Sequence, residues 1–476
     1  MDDLASIQQT RELIAKAKAA QRLFAGTDQK DVDRIVEAMA KAGLKYSRKL
    51  AEMAVAETGI GVVEDKVKKN EFASRNVYEY IKDMKTAGII SEDKEKGIIE
   101  VGDPMGVLAG IVPTTNPTST IIFKSMIAIK SRNAIIFSPH PRAVGCSLEA
   151  ARIMSEAAES AGAPKGLIGC IEICTKEGTN ELISHRDVDV ILATGGSAMV
   201  KAAYSSGKPA YGVGPGNVPA YIEKSAEIPK AVCDIITSKT FDNGTICASE
   251  QAVIAEEPIA KEVVKEFMRQ GGYFVRDPGD LKLLEKTVIQ PGGGVNPSVV
   301  GKSAEKIANM AGIKVPAGTR VLLAPLDKTG KEAPLSYEKL CPVLAFYIEK
   351  DWHTACERSF ELLELGGLGH SLVIHSRDES IIREFAIKKP VNRILVNTPS
   401  SFGAIGLSTG LQPSLTLGCG TKGGNITSDN VGPQHLINRK RLAFSKEERS
   451  VCSNNTAVYV YSRSEVMKAV SDCLRA

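Results

Sequence analysis

From Gly106 the chain settles into an alternation that few folds can satisfy. "GVLAGIV" is a short apolar run, "STIIFKSMIAIKS" has helical spacing, "NAIIFSP" is apolar again, and "SLEAARIMSEAAESAG" is amphipathic. The series continues through "GLIGCIEIC", "NELISH", "DVDVILAT" and "SAMVKAAYSS". Near-continuous apolar strands between amphipathic helices predict a parallel sheet covered on both faces, because each crossover between parallel strands needs a helix. A second alternating section starts near Ala226 with "IPKAVCDIITSKTF". It runs through "QAVIAEE", "KEVVKEFMRQGG", "TRVLLAP" and "LCPVLAFYI" and ends with "RILVNTPSS".

The flanks differ in texture. Roughly the first 90 residues read as helices, with apolar residues at three-and-four spacing in "TRELIAKAKAAQRLF", "KDVDRIVEAMAKAGLK" and "RKLAEMAVAETG". "KEKGIIEVGDPMG" reads as a hairpin-like turn region. After the second section come a Gly-rich stretch, "LTLGCGTKGGNIT", a strand, "TAVYVYSR", and a closing helix, "SEVMKAVSDCLRA".

Composition excludes several classes. At 476 residues, with 43% hydrophobic and 24% charged, the chain is too apolar for disorder and long enough for two or three domains or one lobed enzyme. A net charge of +4 is too weak to point to nucleic acid or a membrane surface. The opening "MDDLASIQQTRELIAKAKAAQ" is an alternating-charge helix rather than a signal peptide, and no stretch reaches the length of a membrane span. The ten cysteines are scattered, mostly in apolar runs, as reduced thiols of a cytoplasmic protein would be. Even spacing in a strand puts Cys170 and Cys174 on one face, but no second pair or histidine cluster follows, so core packing is expected and metal is not.

Two local features bear on chemistry. Gly195, Gly196 and Ser197 lie between a strand and a helix, where a pyrophosphate meets free N–H groups. A simple turn explains them equally well. A formal G-x-G-x-x-G at Gly418, Gly420 and Gly423 lies away from the strand-helix series and is set aside. Cys247 follows the turn tripeptide Asp242-Asn243-Gly244 and precedes Ala-Ser-Glu. A thiol at a loop edge is reachable, although a lone loop cysteine is more often just buried.

Taken together, "VPTTNPTST", "NAIIFSPHPRA", "ATGGSAMVKAAYSSGKPAYGVGPGN", "FDNGTICASEQ", "YEKLCPVLAF", "GLGHS", "NTPSSFGAIG" and "PSLTLGCGTKGGN" resemble the acylating, coenzyme A-dependent branch of the aldehyde dehydrogenase superfamily. The resemblance covers nearly the whole chain. It implies an α/β fold with a Rossmann-like cofactor domain, an α/β catalytic domain and a β oligomerisation arm. The implied divisions are residues 1–223 for the N-terminal helices and cofactor domain, with an oligomerisation hairpin near 94–106. Residues 224–396 would form the catalytic domain, and 397–476 the return to the cofactor domain and the C-terminal arm.

The resemblance also implies roles. Cys247 matches the nucleophile, and Asn116 the side-chain amide that holds the developing oxyanion with the backbone N–H of Cys247, a donor type worth ~3–4 kcal/mol in the transition state. Without the family, "TTNPT" would read as an Asn-Pro turn. Glu338 matches the carboxylate on the nicotinamide ribose, so it stands in both the catalytic and the cofactor sets. Thr115, Gly195, Gly196, Ser197 and Gly214 match the cofactor cradle, and Ser138, Pro139 and His140 the adenosine side. NAD is the default cofactor. NADP stays open, because the Lys and Glu of non-acylating relatives are absent at Ser138 and Pro141 and Arg142 follows.

Val213 stands where hydrolytic relatives carry the glutamate that activates water. A thiol, with a pKa near ~8.5, needs less help than water, so coenzyme A is the expected acyl acceptor. His370 matches a histidine of the acylating branch that assists proton transfer. Lys422 replaces a Trp common in acetaldehyde-specific relatives. Pointing inward with Phe402 and Ile246, it would suit an anionic aldehyde; pointing outward it would mean nothing. The expected partners are an aldehyde and coenzyme A, in a homodimer or homotetramer. The closing helix resembles tags that address relatives to a microcompartment shell, although capping a neighbouring subunit or the fold is the commoner use. A hydrolytic aldehyde dehydrogenase and an inactive scaffold are the competing readings.

Overall fold

The computed structural model describes residues 2–291, 293–445 and 461–474. The strand expected in "TAVYVYSR" lies, up to residue 460, outside the described residues. The N-terminal section ahead of Gly88 is helical as its periodicity predicts, from Asp2–Phe24 through Gln29–Lys45 and Ser47–Thr58 to Val63–Glu71. Asp28 caps the second of these by accepting from the backbone N of Asp31, and Gly59, at φ 65°, closes the third. The fourth continues through a π-helical turn, Phe72–Asn76, into Val77–Ile81.

Five parallel strands form the first sheet, in the order Ile168–Cys170, Ala134–Pro139, Val107–Val112, Val190–Thr194, Ala210–Val213. The chain winds outward one way from Val107–Val112, then returns and winds the other way. This reversal opens a crevice at the carboxyl ends of Val107–Val112 and Val190–Thr194, where such sheets bind ligands. Helix Pro117–Lys130 is buried along its whole length. Its Lys124 donates to the carbonyls of Ile111 and Leu192, both at 2.8 Å, and so ties together the two strands that flank the crevice.

Seven parallel strands form the second sheet, in the order Gly272–Phe274, Val321–Pro325, Val343–Glu349, Glu250–Glu256, Val218–Ile222, Gly369–His375, Val391–Val396. Val218–Ile222 therefore belongs to this sheet, and the expected boundary at 223/224 falls one strand too late. The pattern of a doubly covered strand is the same in either sheet, so the sequence carried no mark of the change. Helix Glu379–Lys388 packs on this sheet, where Phe385 stacks on Tyr221 with ring centroids 4.8 Å apart.

A third, antiparallel sheet joins Gly88–Asp93, Ile98–Pro104 and Ile437–Ala443, in that order. The hairpin begins at Gly88, earlier than expected, because the strand before its turn is short and half-exposed. "GLIGCIEIC" yields a strand only at Ile168–Cys170, so Cys174 lies beyond it and shares no strand face with Cys170. Among the described residues no group of side chains suits a metal ion. No helix among them is long and apolar enough to cross a membrane. The closing helix, Arg463–Cys473, buries none of its side chains.

Phe385 and Tyr221 are both fully buried. Phe385→Ala is expected to cost about 3–5 kcal/mol in denaturant unfolding; a cost below about 1 kcal/mol would show that the stack can collapse around the gap.

Candidate functional site

The thiol loop leaves helix Ile228–Thr240 through a short turn, Phe241–Gly244. Asp242, Asn243 and Gly244 all have positive φ, at 50°, 52° and 76°. For two residues with side chains this is strained backbone, which persists only where its surroundings overdetermine it. The Asp242 carboxylate supplies that constraint. Its Oδ1 accepts from the backbone N of Val62 at 2.8 Å. Its Oδ2 accepts from Lys66 Nζ at 2.9 Å, from Thr245 Oγ1 at 2.7 Å and from Lys69 Nζ. All of these side chains are buried. Burial works to raise the Asp242 pKa, but Lys69 and Lys66 outweigh it and hold the carboxyl below its usual range.

Cys247 follows on this loop, half-buried. Burial, and next the Glu338 carboxylate, push its thiol up to about 12, with Arg393 opposing. Glu338 is itself pushed up to about 7 by burial, and its Oε1 accepts from the backbone N of Gly216 at 3.0 Å. A Cβ on Gly216 would stand 2.1 Å from the Cys247 carbonyl oxygen and 3.3 Å from His370 Cδ2. Only glycine lets these three segments meet.

His370 is fully buried behind Gly216, and burial followed by Arg393 drives its pKa down to about 3, so it is neutral. Its Nδ1 lies 3.1 Å from Ser371 Oγ, and its Nε2 has no hydrogen-bond partner among the described residues.

Asn116 opens helix Pro117–Lys130 from the N-cap position, yet its side chain makes no cap bond. Its Oδ1 accepts from Lys69 Nζ at 2.6 Å, and its Nδ2 donates to the carbonyl of Thr245 and to Thr115 Oγ1, both at 3.2 Å.

A cavity of about 570 Å³ joins these parts to the crevice of the first sheet. At one end it is lined by Asn116, Ile246, Cys247 and Glu338, and along its length by Thr115, Gly195, Gly196, Val213 and Gly214. Ser138, Pro139 and His140 line the far end, where Ser138 Oγ sits 2.8 Å from Thr179 Oγ1. Helix Ser197–Ser205 starts directly after Gly196, so Ser197 opens it. An elongated cavity with glycines at a helix N-terminus fits a dinucleotide pyrophosphate. A buried carboxylate at the reacting end fits a ribose diol. Glu338 is the only acidic residue among the described residues lining this cavity, and none stands at the Ser138 end to repel a phosphate.

A second cavity of about 530 Å³ lies on the other side of Ile246, lined by Phe241, Phe402, Ile405 and Leu415, with Lys68, Arg75 and Arg320 also in its lining. Phe241 and Phe402 meet edge to face with centroids 4.9 Å apart.

Of the expected site residues, His370 and Lys422 line neither cavity. Lys422 is exposed on the short turn Thr421–Gly423, so the inward orientation proposed for an anionic substrate is not what the chain adopts. The direction of a side chain on such a turn is set by the backbone around it, which the motif does not encode. Lys66, Lys69 and Asp242 went unnoticed as site residues. "VEDKVKKNEF" reads as a solvated charged face, and only the three-residue spacing of Lys66 and Lys69 hinted at a shared inner side.

Residues 3–314 match the aldehyde dehydrogenase family. The chain is 55% identical to the crystal structure of an acetylating aldehyde dehydrogenase from Geobacillus thermoglucosidasius, with a TM-score of 0.92 over 94% of this chain and 98% of that one. It is 47% identical over 447 residues to the bifunctional aldehyde-alcohol dehydrogenase of Escherichia coli (strain K12), covering 93% of this chain and 50% of that protein. It thus spans about half the length of the bifunctional relatives it matches. To the acetylating succinate-semialdehyde dehydrogenase of Clostridium kluyveri it is 39% identical, over 93% of this chain and 97% of that one.

Two outcomes follow from this geometry. Glu338→Gln removes a negative charge that raises the thiol pKa, so more thiolate is present at a given pH. Alkylation of Cys247 by iodoacetamide at pH 8 should therefore speed up several-fold, the effect fading below pH 7 where Glu338 is already protonated. A slower reaction would show that Glu338 takes the thiol proton instead. Gly216→Ala, which drives a methyl group into the Cys247 carbonyl, should remove turnover while leaving a cooperative thermal melt.

Proposed function

Because the chain belongs to the aldehyde dehydrogenase family, we propose that it is a coenzyme A-acylating aldehyde dehydrogenase. The reaction is aldehyde + coenzyme A + NAD(P)⁺ ⇌ acyl-coenzyme A + NAD(P)H + H⁺. The observation that carries this reading is Val213, an apolar side chain in the wall of the cavity that also holds Cys247. Val213 offers water no base, and Glu338, the one carboxylate among the described residues lining the cavity, is assigned to the cofactor ribose, so a thioester on Cys247 waits for a better nucleophile. The acetylating relatives, similar along nearly the whole chain, agree with a thiol acceptor.

Cys247 gives up its thiol proton, the H⁺ of the overall equation, and its Sγ adds to the aldehyde carbon to form a thiohemiacetal whose oxygen takes up the charge. In this reading the Asn116 Nδ2, by exchanging one of its 3.2 Å bonds to Thr115 Oγ1 and the Thr245 carbonyl for this oxygen, holds the charge together with the Cys247 backbone N–H. A nicotinamide dinucleotide supplies the hydride acceptor when bound, with Glu338 holding its ribose and Gly195 and Gly196 its pyrophosphate. The acyl group then rests on Cys247 as a thioester, and the thiol of coenzyme A displaces it, which returns Cys247. His370, neutral and with its Nε2 unpaired among the described residues, packs directly behind Gly216.

The aldehyde is short and uncharged, such as acetaldehyde. Around Ile246 the second cavity is walled by Phe241, Phe402, Ile405 and Leu415. The buried cation there, Lys69, already spends its three protons on Asn116, Asp242 and Thr245. A carboxylate or sulfonate brought in would stay unpaired, at a cost of several kcal/mol. Arg75 and Arg320, exposed at the rim, favour the anionic reading only for an aldehyde long enough to reach them. The strands Gly88–Asp93 and Ile437–Ala443 form the two edges of the antiparallel sheet. These edges are proposed to pair with a second subunit, which light scattering would register as a dimer or tetramer.

Reduced cofactor should form from acetaldehyde and propionaldehyde in the presence of coenzyme A, at least tenfold faster than from succinic semialdehyde or sulfoacetaldehyde. Cys247→Ala should remove both directions. Anionic aldehydes reacting faster would move the assignment to the second reading, and substantial turnover in Cys247→Ala would sink both.

A further inference from the structure

We infer that Lys69 is the positioning residue that fixes the orientation of the Asn116 amide, turning its NH₂ group toward the Cys247 loop. The inference rests on the proposed role of Asn116 as oxyanion donor. The two ends of an asparagine amide have nearly the same shape, so only their partners decide which end faces where. Lys69 Nζ stands 2.6 Å from one end. An ammonium group only donates, so that end is the carbonyl oxygen. The other end stands 3.2 Å from the backbone carbonyl of Thr245, which only accepts, so that end is the NH₂ group. The amide is thereby held between a donor-only and an acceptor-only partner. The diversion is visible in the backbone too, since Asn116 occupies an N-cap position and gives up the cap bond that asparagine there usually makes.

Lys69 lines both cavities but has no proton to spare for a ligand. Its three acceptors are Asn116 Oδ1, the Asp242 carboxylate and Thr245 Oγ1 at 3.1 Å. It therefore acts on the reaction through Asn116. A positive charge against the amide oxygen also polarises the amide and strengthens its N–H groups as donors. The simpler role, neutralising buried Asp242, is shared with Lys66. Lys66 reaches the same carboxylate at 2.9 Å and the Thr115 carbonyl at 2.8 Å, but makes no hydrogen bond to the amide. Lys66→Met is thus the matched control for loss of a cation beside Asp242.

The test uses the whole chain, with acetaldehyde, coenzyme A and NAD⁺. Lys69→Met should lower kcat roughly 10- to 100-fold, while the aldehyde KM stays within about twofold. Lys66→Met should lose less. Asn116→Ala should lose as much as Lys69→Met or more, and the double variant should fall no further than Asn116→Ala alone. Alkylation of Cys247 by iodoacetamide, which builds no oxyanion, should keep its rate in Lys69→Met. Where Met prevents folding, Lys69→Gln replaces it, because a Gln side chain offers either end to Asn116 and the one-way constraint is lost. The same pattern is expected from it. Multiplying losses in the double variant, or alkylation that falls in step with kcat, would overturn the inference. So would an unchanged kcat in the Lys69 variant while Asn116→Ala loses activity. An Asn116→Ala variant with full activity would instead overturn the reading of Asn116 itself.

Discussion

The reacting centre is organised around one buried carboxylate. Asp242 takes hydrogen bonds from Val62, Lys66, Lys69 and Thr245, and its own backbone N donates to Asp65 at 2.9 Å. Those partners belong to the helix Val63–Glu71 with its entry, and to the thiol loop. Through Lys66 and Lys69 the network also reaches Thr115 and Asn116. Three segments far apart in sequence are thus held together by charge. Removing one partner of such a buried pair typically costs about 3–5 kcal/mol, of the same order as the strain of about 1–3 kcal/mol at each of the left-handed residues Asp242 and Asn243.

The second constraint is where two parallel sheets meet. The first presents the carboxyl ends of its strands, with the loops of Thr115–Asn116 and Gly195–Gly196. The second presents the amino ends of its strands, with Gly216, Cys247, Glu338 and His370 just before or at the start of their strands. One sheet thereby supplies the cradle, and the other the nucleophile and the carboxylate. Gly216 is where the second set closes up, because a methyl group there would strike the Cys247 carbonyl. The raised thiol pKa follows from the same closeness, since burial and Glu338 both disfavour the thiolate.

How much of this could be read from the sequence depends on what kind of signal each part leaves. Strand-helix alternation leaves a long periodic one, and both parallel sheets follow it. The change from one sheet to the other at Val218–Ile222 leaves none, because a strand buried on both faces looks alike in either. Cys247, Asn116 and Glu338 are far apart in sequence, and family motifs rather than spacing suggested that they converge. The structure brings all three to one cavity. Lys422 shows the limit of a motif, which gives the residue type but not the direction of its side chain. Lys66 and Lys69 show the opposite failure. Charged residues on a helix usually face water, and only a partner 173 or more positions away, Asp242, turns them inward.

The central claim is that the acyl group on Cys247 is handed to a thiol and not to water, because Val213 offers water no base. A stopped-flow experiment with acetaldehyde and NAD⁺ but no coenzyme A addresses it directly. The account predicts a burst of one NADH per active site followed by a near-flat trace, with turnover starting once coenzyme A is added. A steady production of NADH without coenzyme A, continuing well past one equivalent, would contradict it.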